Sequence, residues 1–140
     1  MKTSAPPRIR TIDHVHVYVA DRSASEAWYK RVLGFARTKE FEVWANDGGP
    51  LTIQNSEGTV HIALFERRPL KTRSTIALGV SAVEYMEWKD HLVQELGEPP
   101  TSEDHELSLS LYFTDPDGNP YEITTYEHEA VRRALAAGAA

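Results

Sequence analysis

The side chains in this chain that could do chemistry are mostly histidines, carboxylates and one well-placed tyrosine. There are six histidines and no cysteines. Disulfides and thiolate metal sites are therefore excluded, and any metal would have to be held by imidazole and carboxylate. His14 and His16 stand two residues apart in the alternating stretch Ile12 to Val19. As a strand, that stretch sets His14, His16 and Tyr18 on one face and Val15, Val17 and Val19 on the other. An imidazole titrates near neutrality, so His16 could act as a general base or contact a substrate; it could equally be a satisfied polar residue at a rim. Tyr112 precedes Glu122 by ten residues (122 − 112). Its hydroxyl could donate to a substrate oxygen or oxyanion, or be the wet tip of a core aromatic. His14 to Thr75 and His61 to Glu122 are each 61 residues apart (75 − 14 and 122 − 61).

The elements that would position these residues come in a repeating order. After the strand, Asp21 and Ser23 offer an N-cap, and Ser23 with Glu26 has capping-box spacing. A helix follows, with Ala24, Ala27, Trp28, Val32 and Leu33 at helical spacing and Gly34 placed to end it. Phe35 to Trp44 is expected as a strand, with Phe41 and Trp44 as a possible apolar wall of a pocket. Leu51 to Asn55 and Thr59 to Phe65 follow as two more strands. Glu66 to Arg73 is a charged linker whose Arg67, Arg68, Lys71 and Arg73 form either a solvated loop or an anion-binding rim. The order then recurs: strand Thr75 to Val80, helix Val83 to Leu96 stopped by Gly97 and Pro99-Pro100, strands Leu107 to Thr114 and Pro120 to Thr125. The last two are joined by the turn Asp115-Pro116-Asp117-Gly118-Asn119. In the second helix Met86, Val93 and the Tyr85, Trp88, Leu92, Leu96 row are expected to face inward. Trp28 and Trp88 are expected in the core. His91, His105 and His128 carry no motif and are expected at the surface, His105 near a pocket mouth. Two copies of strand, helix and strands point to a structural repeat. If a pseudo-twofold axis relates the halves, His14, Thr75, His61 and Glu122 converge on one point.

The bulk numbers set limits. The 140 residues are one ordinary domain, 41% hydrophobic and 26% charged, as in a globular protein. No apolar run approaches the ~20 residues of a membrane span. Met1 to Arg10 lacks the apolar core of a secretory signal, and a cytoplasmic setting is the expectation. The formal net charge of −6 comes without a basic stripe, which disfavours nucleic acid.

Two segments carry a family resemblance. "IDHVHVYVADRSASEAWYKRVLGF" resembles the first module of vicinal-oxygen-chelate proteins, the glyoxalase, bleomycin-resistance and extradiol-dioxygenase superfamily. "LYFTDPDGNPYEITTY" resembles that family's closing hairpin. The resemblance runs from about Ile12 to Tyr126. It implies an α+β fold in which two βαβββ modules form a curved mixed sheet around a pocket. Module 1 would span about 11–66 and module 2 about 74–126, with a tail at 127–140, all in one domain. Members are commonly homodimers and often hold one divalent metal ion.

The resemblance also implies a ligand set. His14 matches the family's first-strand ligand and Glu122 its last, and His61 fits the closing strand of module 1. Thr75 stands where many members have histidine, and a neutral hydroxyl is a poor transition-metal ligand. His14, His61 and Glu122 would suit Fe, Mn, Ni or Zn with open positions for vicinal substrate oxygens. Tyr112 resembles the pocket tyrosine of extradiol dioxygenases and fosfomycin-resistance enzymes. The expectation is a metal-dependent lyase, isomerase or dioxygenase acting on a small oxygenated molecule. The alternative is a metal-free, bleomycin-resistance-type binding protein, with which the acidic charge and Trp44 agree.

Overall fold

The computed structural model describes residues 6, 8–68 and 74–138. Two four-stranded sheets make up the frame. The first contains β1 (Val15–Val19), β2 (Ala36–Arg37), β3 (Leu51–Gln54) and β4 (His61–Glu66), in the order β1-β4-β3-β2. The second contains β5 (Ile76–Gly79), β6 (Thr101–Asp104), β7 (Leu109–Thr114) and β8 (Pro120–Thr125), in the equivalent order β5-β8-β7-β6. In each, the first and last strands run parallel and the other neighbours antiparallel. The expected repeat of βαβββ modules is therefore present. The polar strand β6, which sequence patterning left unassigned, completes the second copy.

Helix α1 (Arg22–Leu33) is capped by Asp21, whose side chain accepts from Ala24 N at 3.0 Å; Ser23 lies inside the helix. Gly34 closes it at φ 72°, a left-handed conformation costly for residues bearing a Cβ. Helix α3 (Ala82–Leu96) carries the capping box instead, between Ser81 and Glu84. The segment expected as one strand from Phe35 to Trp44 is broken. Only Ala36 and Arg37 pair with β3; then come a 3-10 turn at Lys39–Phe41 and helix α2 (Glu42–Asn46). The Arg22 guanidinium holds this helix by donating to the carbonyls of Ala45 and Gly49. Phe41 and Trp44 then fall three apart on a helical turn and stack at 4.4 Å between ring centroids. Helix α4 (His128–Gly138) follows β8 and buries Val131.

Alternation decides what each sheet buries. On β1, Val17 and Val19 are buried while His16 and Tyr18 are exposed. On β8, Tyr121, Ile123 and Thr125 are buried and Glu122 and Thr124 are half-buried. The buried faces join Trp28, Tyr29, Val32 and Leu33 of α1 and Tyr85 and Leu92 of α3 in one core. Each sheet thus keeps a second, more polar face outside that core. Trp88 packs against the core as expected, whereas Val93 is exposed.

Candidate functional site

On the open face of the first sheet, alternation and strand register place His14, His16, Tyr18, His61 and Phe65 together. Tyr18 is opposite Phe65 and His16 opposite Ala63 in the β1–β4 pairing. His14, one residue before the strand, continues the same alternation. Its Nδ1 donates to the Asp13 carboxylate at 2.7 Å. Its Nε2 lies 3.0 Å from Nε2 of His16. The His16 ring also sits 4.7 Å, centroid to centroid, from Phe65.

The open face of the second sheet carries Glu122, Tyr112 and Ser110. Tyr112 pairs with Glu122 across the β7–β8 ladder, and Ser110 with Thr124. The fully buried Ser110 donates from Oγ to Glu122 Oε1 at 2.6 Å. The Tyr112 hydroxyl lies 2.9 Å from His105 Nε2. Partial burial raises the Tyr112 phenol above its ordinary value; neighbouring Ser110 opposes this and the Glu122 charge adds to it. Tyr112 is therefore a neutral hydrogen-bond donor near neutral pH.

His14 and His61 both line a cleft of about 620 Å³ between the modules, with Val60 on their side and Ile76, Leu78 and Trp88 opposite. Glu122, Tyr112 and His16 are not among its described walls. Among the described residues, no three His, Cys, Asp or Glu side chains stand close enough to hold one metal ion within a single chain. His14 stands beside the first sheet and Glu122 on the second.

The register explains where the 61-residue spacing leads. β1 pairs with β4 at Val15 and Ile62, and β5 with β8 at Ile76 and Tyr121. Matching the strand starts equates His14 with Thr75 and His16 with Ala77. Glu122 pairs with Ala77, and His16 pairs with Ala63. The module 1 residue equivalent to Glu122 is therefore Ala63, and His61 stands one same-face step away, beside His14.

Other expected surface residues have partners. His91 Nε2 donates to the Val32 carbonyl at 2.8 Å, tying α3 to the end of α1. His128 and Arg132 of α4 both bind the Asp104 carboxylate, at 2.7 and 2.8 Å. Neither partner could be read from sequence, because each link spans a fold-level distance. Ser110 was missed too, although period-two alternation with Tyr112 puts it on the Glu122 face. Phe41 and Trp44 line none of the cleft and sit on the short helical segment. Of the linker cations, Arg67 lies over the Phe65 ring at 5.8 Å; Lys71 and Arg73 fall outside the described residues. No helix among the described residues is long and apolar enough to cross a membrane.

The comparisons agree with this architecture. A putative glyoxalase family protein from Bacillus anthracis superposes with a TM-score of 0.66 at 20% identity, covering 88% of this chain and 100% of that one. The fosfomycin resistance protein FosX from Listeria monocytogenes, complexed with Mn(II) and sulfate, gives 0.62 at 17%, covering 91% and 99%. Lactoylglutathione lyase from Agrobacterium tumefaciens gives 0.64 at 21%, covering 86% and 95%. At these identities the likeness concerns the fold. No curated protein matches in sequence. The family model for the Glyoxalase/Bleomycin resistance protein/Dioxygenase superfamily matches residues 11–123, nearly the whole span of the two sheets, and the chain belongs to that superfamily.

Proposed function

We propose that this chain is a metal-dependent enzyme of the superfamily, of the lyase, isomerase or dioxygenase class, acting on a small oxygenated molecule. The observation that carries the reading is the Asp13–His14 pair. A carboxylate on Nδ1 fixes the imidazole tautomer and turns the Nε2 lone pair outward, which is how metal-ligating histidines are oriented. The proposed ligand set is His14 and His61 from module 1 with Glu122 from module 2. Because no three potential ligands stand together among the described residues of one chain, the set in this reading is completed between two copies, the module 1 face of one chain opposing the module 2 face of its partner. The cofactor is one divalent ion, Fe, Mn, Ni or Zn.

The ion would supply Lewis-acid stabilisation of an oxyanion on the substrate. The chain's own residues do the rest. Ser110 holds Glu122 in position. Tyr112, kept neutral, donates a hydrogen bond to a substrate oxygen, and His105 orients its hydroxyl. His16, on the same face as His14, contacts the substrate or accepts a proton.

The test mixes two variant chains. His14→Ala and Glu122→Ala should each lose metal, measured by mass spectrometry after reconstitution. Refolded together, they should recover metal in mixed dimers, where one site has neither substitution. Dimers that recover none would overturn the shared site. A wild type without metal after reconstitution would move the chain to the metal-free binding reading.

A further inference from the structure

Helix α4 reaches the second sheet through one carboxylate. Val131 is fully buried and Leu135 packs against the core, which fixes the helix in place. His128 and Arg132 are one helical turn apart, so they share a face, and both donate to Asp104 at the end of β6. His128 Nε2 lies 2.7 Å from Oδ1 and the Arg132 guanidinium 2.8 Å from Oδ2. Oδ1 also accepts from the Glu106 N–H at 2.9 Å. Both oxygens are engaged, by donors from α4 and from the turn that follows β6.

That turn joins β6 to β7 and carries His105. Leu107 within it is 80% exposed, so the turn gains no hold on the core from it. Glu106 has φ 69°, the one positive φ outside glycine among the described residues. A residue bearing a Cβ keeps such a conformation only where its surroundings impose it. Three hydrogen bonds do so here. The Leu107 N–H donates to the His105 carbonyl at 2.8 Å, the His105 N–H donates to the Ser108 carbonyl at 2.9 Å, and Asp104 holds the Glu106 N–H. His105 stands between the two residues that the last bond joins, so its direction is set with theirs. Its Nε2 lies 2.9 Å from the Tyr112 hydroxyl.

Which atom gives the proton in that contact decides what Tyr112 can do. A phenol has one proton. If it goes to His105 Nε2, none remains for a ligand oxygen. If Nε2 carries a proton and donates, the phenol proton is left over. Glu122 pairs with Tyr112 across the ladder, and an ionised carboxylate can only accept. The phenol proton is drawn to that side, and the imidazole is left as the donor. We infer that Asp104 is a positioning residue: held by α4, it sets the β6–β7 turn so that His105 donates from Nε2 to the Tyr112 oxygen and leaves the Tyr112 proton turned to the open face of the second sheet. The inference rests on the reading of Tyr112 as the donor to a substrate oxygen. It adds α4 to the elements on which that donor depends.

The test uses the full-length chain with nitrogen-15 in its histidines, at neutral pH and without ligand. Long-range proton–nitrogen spectra read which ring nitrogen carries the proton, and His105→Gln assigns the signal. In the wild type the His105 proton should sit on Nε2. In Tyr112→Phe, which removes the acceptor, that preference should fall away. The double variant His128→Ala with Arg132→Ala should move the His105 signals most of the way to those of Tyr112→Phe, with circular dichroism showing the fold intact. Arg132→Lys keeps a cation for Asp104 and should keep the wild-type signals. A wild-type His105 with its proton on Nδ1 overturns the inference. So do wild-type signals in the double variant. If the double variant fails to fold, Asp104→Asn is read in its place, and unmoved His105 signals there overturn the inference. Unchanged acetate affinity in Tyr112→Phe would overturn the donor reading of Tyr112 and leave the positioning by Asp104 standing.

Discussion

The hydroxyl of Tyr29 in α1 donates to the carboxylate of Asp115 in the β7–β8 turn at 2.8 Å, across 86 residues of chain. Tyr121 adds its own hydroxyl, 2.7 Å from that of Tyr29. Asp115 is 4% exposed and Tyr29 and Tyr121 are fully buried. The carboxylate also accepts from the backbone N–H groups of Asp117 and Asn119 and from the Asn119 side chain. Asn119 in turn donates to the Tyr18 carbonyl on β1. One buried carboxylate therefore shapes its own turn and ties the second module to the first. The aspartate-proline-aspartate-glycine motif acts as an inter-module joint.

Tyr29→Phe removes the central hydroxyl of this joint. Asp115 keeps three donors, but Tyr121 loses its acceptor in a buried setting. Stability should fall by about 1–3 kcal/mol, read as a lower denaturant midpoint with an unchanged slope. Burial above all, with Tyr121 and Asp115 beside it, holds the Tyr29 phenol well above its ordinary value. A raised acid stabilises below its unfolded pKa and loses that contribution as pH rises. Wild-type stability should therefore decline above about pH 10, and Tyr29→Phe should decline less.

Gly34→Ala tests the helix stop. A Cβ at Gly34 would meet nothing within 4 Å, so the cost comes from the φ of 72° alone. The loss should be about 1–2 kcal/mol, and Gly34→Asn should lose less, since asparagine tolerates the left-handed region better. Thermal unfolding of the two variants checks the ranking.

Acid should loosen α4 before the core. The His128 hydrogen bond, together with the Glu106 amide and Arg132, lowers the Asp104 pKa below its ordinary value. A lowered carboxyl stabilises above its unfolded pKa, and that contribution is lost as pH falls through the folded value. Below about pH 4, hydrogen exchange of the α4 amides should accelerate ahead of those in β7 and β8. Asp104→Asn should show the faster exchange already at neutral pH.

Ser110→Ala frees Glu122 of the donor that fixes it. If Glu122 is a metal ligand, metal affinity should weaken by roughly 10–100-fold with the fold intact, measured by chelator competition. Unchanged affinity would remove Glu122 from the ligand set. Tyr112→Phe should leave metal affinity unchanged and weaken binding of an oxyanion-bearing ligand, measured by calorimetry.

Much of the fold was written locally. Alternation in Val15–Val19 and Pro120–Thr125, the left-handed glycines at 34 and 97, and the turn at 115–119 are short-range signals, and each element appeared. The repeat, the family, and the common face of His14, His16 and Tyr18 followed from them. Local pattern misled at Phe35–Trp44, where the Arg22 guanidinium, distant in sequence, captures the carbonyls of a short helix. It was silent on β6, whose residues are all exposed and so carry no apolar alternation. The equal spacing of 61 residues suggested that His61 mirrors Glu122. Only strand register could show that the mirror position is Ala63, because a two-residue difference in how β4 and β8 pair leaves every side chain on its proper face. That no three potential metal ligands stand together among the described residues of one chain was likewise beyond the sequence: face and spacing are local properties, but which faces oppose each other is set by how the two modules pack.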